Sequence, residues 1–142
     1  MTERILIMGL PGAGKTYLAQ YVLELLERAN KKCLWLNADR VRTEYNDWDF
    51  SIEGRIRQSK RMREMADRLE CDYVICDFIC PIPEMRKNFE AHWTVWMDTI
   101  QEGRFDDTNR LFMPPDKYDF RITEQDAPRY SELVAVTILN GK

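Results

Sequence analysis

An eight-residue glycine-rich segment near the N-terminus has the clearest chemical pattern in the sequence. Residues 9–16 read GLPGAGKT and satisfy the phosphate-binding pattern G-x-x-x-x-G-K-[ST]. Glycines allow the backbone N–H groups to turn toward phosphate oxygens, while Lys15 and Thr16 suit the β- and γ-phosphates and a magnesium ion. The residues expected to contact a nucleoside triphosphate, ATP, are Gly9, Leu10, Pro11, Gly12, Ala13, Gly14, Lys15, Thr16 and Tyr17.

Two aspartates follow apolar runs and could act beside this loop. Asp77 follows residues 73–76, and we predict that it reaches Mg²⁺; a plain strand-end turn is the alternative. Asp39 follows residues 33–36, and we predict that it accepts the proton of an attacking hydroxyl; the alternative is a helix N-cap. The expected catalytic residues are Lys15, Asp39 and Asp77, and the expected metal ligands are Thr16, Asp39 and Asp77.

A basic and aromatic segment follows Asp39. Its basic residues are Arg42, Arg55, Arg57, Lys60, Arg61 and Arg63. Guanidinium groups suit bidentate capture of anionic oxygens, and we expect about two of these residues to touch substrate while the others line a solvated face. Phe50, with Trp48 and Tyr45 nearby, could stack on a nucleobase or pack in the core.

Short apolar runs alternate along the chain with segments of helical period. The runs that predict strands are residues 5–8, 33–36, 72–76, 92–97 and 118–123. The segments that predict helices are residues 17–29, 51–69, 83–91 and 128–139, with a strand as the alternative for the β-branched last segment. This alternation predicts a three-layer α/β/α fold with a parallel sheet of about five strands. Ligands of such sheets bind beyond the carboxyl ends of the strands, where Lys15, Asp39, Asp77 and Asp98 fall.

Residues 101–116 form the longest stretch without a core pattern. They are polar, carry charges of both signs and contain Pro114-Pro115, so we expect a long loop. A long loop in a compact domain is often functional, and this one could act as a lid. With 142 residues, we expect one domain over residues 1–142.

The overall composition excludes several classes of protein. The chain has 21 Lys and Arg against 24 Asp and Glu, so it lacks the broad basic surface of a duplex-binding protein. Nucleic acid is therefore neither indicated nor excluded as a partner. The apolar runs are too short for a signal peptide or a membrane helix, and the 4 cysteines lack the spacing of a zinc site. We expect buried thiols in a cytoplasmic protein with no membrane partner.

Three segments together resemble the adenylylsulfate kinase family of P-loop kinases. They are GLPGAGKT (9–16), LNADRVR (36–42) and DWDFSIEGRIRQ (47–58), where that family has patterns close to GLSGSGKST, LDGDNVR and DLGFSxxxR. The segments VWMDTI (95–100) and PPDKYDFRIT (114–123) fit more loosely. The resemblance implies a P-loop kinase fold, ATP and Mg²⁺ as cofactors, and transfer of the ATP γ-phosphate to the 3′-hydroxyl of adenylyl sulfate.

Position by position, the resemblance implies roles around the acceptor. Asp39 would assist phosphoryl transfer or metal binding. Arg42 and Arg55 would hold the phosphosulfate, and Phe50 would pack on the substrate adenine. Gln58, also expected at the substrate, stands where the family usually has asparagine.

The chain also departs from the family pattern. Asn37 replaces the first Asp of DGD, Arg40 replaces the usual Asn, and Asp77 occupies a strand end that is usually Ser. The lid segment offers only Arg104 and Arg110 as cations. The alternatives are a kinase for a nucleoside, nucleotide or nucleic-acid end, and a nucleotide-dependent switch, although no guanine-reading N-K-x-D motif is present. A homodimer is compatible with either kinase hypothesis.

Overall fold

The computed structural model describes residues 1–142 as a five-stranded sheet flanked by helices. The strands are β1 (Glu3–Met8), β2 (Cys33–Asn37), β3 (Tyr73–Asp77), β4 (Trp93–Met97) and β5 (Phe120–Ile122). The helices are α1 (Lys15–Arg28), α2 (Ala38–Tyr45), α3 (Ile52–Arg68), α4 (Pro83–Phe89), α5 (Asp106–Leu111) and α6 (Ala127–Asn140). None of the helices combines the length and apolar character that a membrane span requires.

All strand pairs are parallel, and their order in the sheet is β2-β3-β1-β4-β5. The strand that leads into the glycine-rich loop, β1, is therefore central. Asp77 at the end of β3 is in register with Ile7 on one side and with Asn37 on the other. Because parallel strands share one carboxyl edge, this register brings the glycine-rich loop, Asn37 and Asp77 together.

Each face of the sheet has its own apolar core, because side chains alternate along β1. Ile5 and Ile7 pack with residues of α1 and α6, whereas Leu6 and Met8 pack with residues of α3 and α4. All four side chains are buried. Burial of one such side chain contributes about 1.5–3 kcal/mol before entropy costs are subtracted. Burial of apolar side chains on both faces of the sheet therefore stabilises the three-layer fold.

The predicted three-layer fold with five parallel strands is confirmed. The helix predicted from Ser51 is also found, and the Ser51 hydroxyl caps it by accepting a hydrogen bond from Gly54 N at 3.1 Å. Residues 128–139 are helical within α6, so the strand alternative is wrong. Val134 and Ile138 lie one turn apart in that helix and are both buried, so tertiary packing overrides their β-branched preference.

The prediction of a structureless loop over residues 101–116 is wrong in its middle, where α5 forms. A hydrophobic pattern could not reveal this helix, because its one buried residue is the polar Thr108. The charges do fit a helix, with Asp106 and Asp107 in the first turn and Arg110 in the last.

Helix α2 is absent from the sequence prediction for a similar reason, since its buried residues are only Val41 and Arg42. Strand β5 is shorter than the predicted residues 118–123, because only Phe120–Ile122 pair with β4.

Candidate active site

The loop between β1 and α1 has the backbone shape of a phosphate cradle. Gly9, Gly12 and Gly14 have φ angles of 152°, 90° and 97°, which residues with a side chain rarely adopt. A Cβ at Gly9 would also lie 2.6 Å from the carbonyl oxygen of Met97. Helix α1 begins at Lys15 and has no acidic residue in its first turn, so its N-terminal end directs positive partial charge at the loop.

Two side chains from other segments hold the carbonyl groups of this loop. The Thr99 hydroxyl donates to the Ala13 oxygen at 2.8 Å, and Gln125 Nε2 donates to the Gly12 oxygen at 2.9 Å. These bonds fix the peptide planes of the cradle before any ligand binds. Neither Thr99 nor Gln125 was predicted as a site residue from the sequence, and the only signal for Thr99 was its place in the VWMDTI segment.

Lys15 lies over the loop and is largely removed from water. Its Nζ donates to the carbonyl oxygen of Leu10 at 2.9 Å. Burial lowers the pKa of Lys15 to about 8, although the nearby carboxylates of Asp77 and Asp39 oppose that change. A partly buried ammonium with one backbone partner is well suited to exchange that partner for a phosphate oxygen.

Asp77 is a buried carboxylate that accepts hydrogen bonds from three side chains. The Trp35 indole N–H donates to Oδ1 at 2.8 Å, and the Thr16 hydroxyl donates to Oδ2 at 3.2 Å. Asn37 Nδ2 lies 3.2 Å from both oxygens. Burial raises the pKa of Asp77, and the bonds from Trp35 and Thr16 and the charge of Lys15 counteract this rise. The carboxylate therefore has one fixed orientation at the cradle.

Asn37 connects this carboxylate to helix α2. Its Oδ1 accepts hydrogen bonds from the N–H groups of Asp39 and Arg40 at 3.1 and 3.2 Å, so Asn37 is the N-cap. The capping alternative for Asp39 is therefore wrong, and its carboxylate is exposed in the first turn. Asn37 and Asp77 are two of the departures from the family pattern, and they contact each other.

One cleft of about 550 Å³ brings the predicted acceptor and catalytic residues together. The predicted residues that line it are Pro11, Gly12, Lys15, Thr16, Asp39, Arg42, Phe50, Arg55, Gln58 and Asp77. Gly9, Leu10 and Ala13 are buried in the loop, and Gly14 and Tyr17 line another cavity. Trp48, named in the sequence beside Phe50, also lines the cleft, and the lining residues that were not predicted include Asn37, Cys80, Phe105, Asp107 and Thr108.

Phe50 lies beside two guanidinium groups at the cleft. The Arg42 and Arg55 guanidinium carbons are 4.4 and 5.5 Å from the centre of its ring. Arg55 Nε donates to the Phe50 carbonyl oxygen at 2.8 Å, which fixes the backbone there. The ring is 46% exposed, so core packing is the wrong alternative for Phe50. The arrangement offers an aromatic face and two cations to a ligand.

The other basic residues of this segment differ in their surroundings. Arg57 and Lys60 are exposed, as expected of a solvated face. Arg61 does not lie on a solvated face. Its side chain is only 14% exposed and forms an ion pair with Asp47 at 2.8 Å. Arg63 pairs with Asp67 one turn along α3.

Helix α5 is docked on α3 at the cleft. Arg55 Nη2 donates to the Thr108 hydroxyl at 3.1 Å and lies 3.8 Å from an Asp107 carboxylate oxygen. The segment is also tied to the loop after β3, because Met113 N donates to the Pro81 oxygen at 2.7 Å. Arg104, Phe105, Asp107 and Thr108 therefore form one wall of the cleft.

A second cavity of about 280 Å³ lies on the other side of the cradle. It is lined by Gly14, Tyr17, Leu18, Tyr21, Met97, Ile122 and residues 125–128 and 130. Aromatic and aliphatic side chains predominate there, which suits a flat ring system.

The oxygen donors at the cradle fit a magnesium ion. The Thr16 hydroxyl and the Asp77 carboxylate are in contact, and Asp39 faces the same cleft. No group of three or more His, Cys, Asp or Glu side chains could hold a metal by itself. An ion here would complete its coordination with phosphate and water oxygens, as Mg²⁺ commonly does.

The sheet order, the cradle after the central strand and the adjoining carboxylate define a P-loop kinase fold. A family model described as adenylylsulphate kinase matches residues 1–101. The chain therefore belongs to the adenylylsulfate kinase family, a family of ATP-dependent phosphotransferases.

One curated relative agrees with this assignment, and solved structures share the fold. A probable adenylyl-sulfate kinase of Aeropyrum pernix is 34% identical over 83 residues, which are 56% of this chain and 45% of that protein. The chain thus spans less than half of this curated relative. An APS kinase structure from Mycobacterium tuberculosis, in complex with AMPPNP and APS, is 20% identical and has a TM-score of 0.83 over 99% of this chain and 98% of that one. Shikimate kinase from Acinetobacter baumannii has 16% identity and a TM-score of 0.65 over 100% and 96% of the two chains.

Proposed function

We propose that this protein transfers the γ-phosphate of ATP to the 3′-hydroxyl of adenylyl sulfate. The observation that carries the proposal is the single cleft in which Lys15 and Asp77 meet Arg42, Phe50 and Arg55. One end of the cleft suits a polyphosphate, and the other suits an aromatic ring joined to an anionic group. Family membership supports both the reaction and the acceptor.

The two cavities suggest how the substrates share the site. We place the ATP phosphates on residues 9–16 and its base in the smaller cavity, beside Tyr17 and Tyr21. Adenylyl sulfate then occupies the larger cleft, with its adenine on Phe50. The acceptor hydroxyl and the γ-phosphate meet where the cradle borders both spaces.

The chemistry requires one bond to form and one to break. The 3′-oxygen of the acceptor bonds to the γ-phosphorus, the bond from that phosphorus to the bridging oxygen breaks, and its electron pair leaves with ADP. Asp39 takes the hydroxyl proton, and Lys15 offsets charge on the phosphoryl oxygens. Mg²⁺, held by Thr16, Asp77 and Asp39, would supply further charge neutralisation at the β- and γ-phosphates when bound.

A labelling experiment tests the proposal. Purified protein, γ-labelled ATP and Mg²⁺ are incubated with adenylyl sulfate, and the products are separated by chromatography. We expect label in 3′-phosphoadenylyl sulfate, and none with the Lys15→Ala variant, because that change removes the cation at the transferred phosphate.

Parallel reactions with adenosine, a nucleoside monophosphate and an oligonucleotide with a free 5′-hydroxyl test the alternative acceptors. If one of these compounds is labelled and adenylyl sulfate is not, the protein is a kinase with a different phosphoryl acceptor. Release of labelled phosphate alone would favour a nucleotide-dependent switch.

A further inference from the structure

Asp47 connects two residues of the acceptor cleft, although it does not line the cleft itself. Its carbonyl oxygen accepts a hydrogen bond from Arg42 at 2.9 Å. One carboxylate oxygen, Oδ2, accepts from Arg61 and from Arg57, each at 2.8 Å. The side chains of Asp47 and Arg61 are only 13% and 14% exposed, so this contact is largely shielded from water.

Arg61 extends this connection to Gln58. Its Nη1 donates to Gln58 Oε1 at 2.8 Å, while its Nη2 holds Asp47. The guanidinium also stacks on the Tyr45 ring, 4.3 Å from the ring centre. Contacts with a carboxylate, an amide oxygen and a ring leave Arg61 a single orientation.

This contact determines which end of the Gln58 amide faces the cleft. Arg61 is only a donor, so it must meet the amide oxygen, and the Ala38 carbonyl is only an acceptor, so it must meet Nε2. The Nε2 to Ala38 oxygen distance is 3.1 Å. Gln58 is 2% exposed and lines the cleft. One amide hydrogen is used by Ala38, and the other remains for a ligand.

We infer that Arg61, anchored by Asp47, is a positioning residue that fixes Gln58 with an N–H donor directed at the bound acceptor. The inference rests on the proposed function, because it concerns the cleft assigned to adenylyl sulfate. Because its orientation is fixed, Gln58 selects for a substrate that places a hydrogen-bond acceptor atom opposite this N–H. Without Arg61 a single hydrogen bond, from Nε2 to the Ala38 oxygen, would hold the amide, and the direction of its second N–H would no longer be fixed.

Steady-state kinetics with adenylyl sulfate test this role. Arg61→Met should raise KM for adenylyl sulfate about tenfold, the loss of roughly one hydrogen bond, and leave the Kd for ATP within about twofold. Arg61→Lys should recover part of the loss. Arg57→Met is the matched control, since Arg57 binds the same carboxylate without touching Gln58, and its KM should stay within about twofold of wild type.

A double-mutant cycle separates positioning from a general structural effect. If Arg61 acts through Gln58, Arg61→Met should have no further effect on KM in a Gln58→Leu background. Equal effects of Arg61→Met in both backgrounds, or an equal loss in Arg57→Met, would overturn the inference.

A spectroscopic measurement does not depend on the acceptor. In NMR spectra of ¹⁵N-labelled protein, the Gln58 side-chain amide hydrogens should give a pair of dispersed, slowly exchanging signals. The chemical shifts of this pair should move to those of an ordinary glutamine in Arg61→Met and stay unchanged in Arg57→Met. If wild type does not phosphorylate adenylyl sulfate but this pattern is seen, the proposed acceptor fails while the positioning role stands. An unchanged Gln58 signal in folded Arg61→Met removes the positioning role.

Discussion

At the residue scale, Lys15 is a cation that loses its proton at a lower pH than an ordinary lysine does. Burial lowers its pKa to about 8, whereas a polyphosphate at the cradle favours the ammonium. ATP binding above that pH should therefore draw a proton from solvent. Below it, the side chain is already charged and no uptake is needed.

Calorimetry in two buffers of different ionisation enthalpy measures this uptake. At about pH 8.5 we expect between about half and one proton per ATP, falling toward zero near pH 7, and affinity for ATP should weaken as pH rises. Lys15→Met should bind ATP more weakly and lose the uptake. Equal proton uptake by Lys15→Met and wild type would assign the titration to another group.

Asp39 differs from Asp77 in its surroundings, and this difference leads to a second prediction. Asp39 is exposed, whereas Asp77 is buried among donors. Asp39→Asn should lower kcat by about 10²- to 10⁴-fold if its carboxylate takes the hydroxyl proton, with the Kd for ATP changed by less than about threefold. Stopped-flow or steady-state assays give kcat, and calorimetry gives Kd. Unchanged turnover would leave Asp39 without a catalytic role.

The sequence identified the charged residues of the site better than their supports. Lys15, Asp39 and Asp77 could be selected because motif spacing and strand ends determine where they lie, whereas Arg42 and Arg55 were selected through the family resemblance. The neutral donors could not be selected in this way. A tryptophan or a glutamine has no pattern of its own, and its partner is known only once distant segments are folded together.

At the scale of elements, α5 is a short helix that depends on tertiary contacts. It spans only six residues, and Thr108 is its one buried residue. A helix of this length is not stable alone, so its docking on Arg55 determines whether it forms. Whether the whole segment 101–116 opens as a lid stays a prediction.

Thr108→Val tests this dependence. The change removes the hydroxyl that Arg55 bonds and keeps the side-chain volume, so amide exchange should quicken across residues 106–111 and KM for the acceptor should rise about three- to tenfold. Thr137→Val, at a partly exposed position of α6 far from the cleft residues in sequence, is the matched control and should leave both unchanged. Equal exchange in wild type and Thr108→Val would show that other contacts hold α5.

Element prediction succeeded where a buried apolar face determines the element and failed where polar contacts do. β1 and α6 follow from apolar residues that form a buried face, such as Ile5 and Ile7 in β1 and Val134 and Ile138 in α6. Helix α2 has one fully apolar buried residue, Val41, and is begun by the Asn37 cap. Such a cap is visible in the sequence, but it resembles any polar turn until the helix after it is known.

At the scale of the whole molecule, stability depends on both cores. Leu18 is buried in α1 against the sheet, whereas Leu133 is 58% exposed on α6. Leu18→Ala should lower the free energy of unfolding by about 2–5 kcal/mol, because it leaves a cavity in the core. Leu133→Ala should change it by less than about 0.5 kcal/mol. Urea denaturation measures both, and similar losses would contradict the described packing.

The homodimer and the cytoplasmic location expected from the sequence stay predictions.

The hydrogen bond from Trp35 to Asp77 also gives the protein an intrinsic optical reporter. Indole emission responds to nearby charge, and this indole N–H touches the carboxylate that we propose as a magnesium ligand. Titration with Mg²⁺ and ADP should therefore change the fluorescence of the unlabelled chain. A Trp35→Phe variant should lose most of that response and keep the emission of Trp48, Trp93 and Trp96. Ligand occupancy could then be followed in real time without a coupled assay.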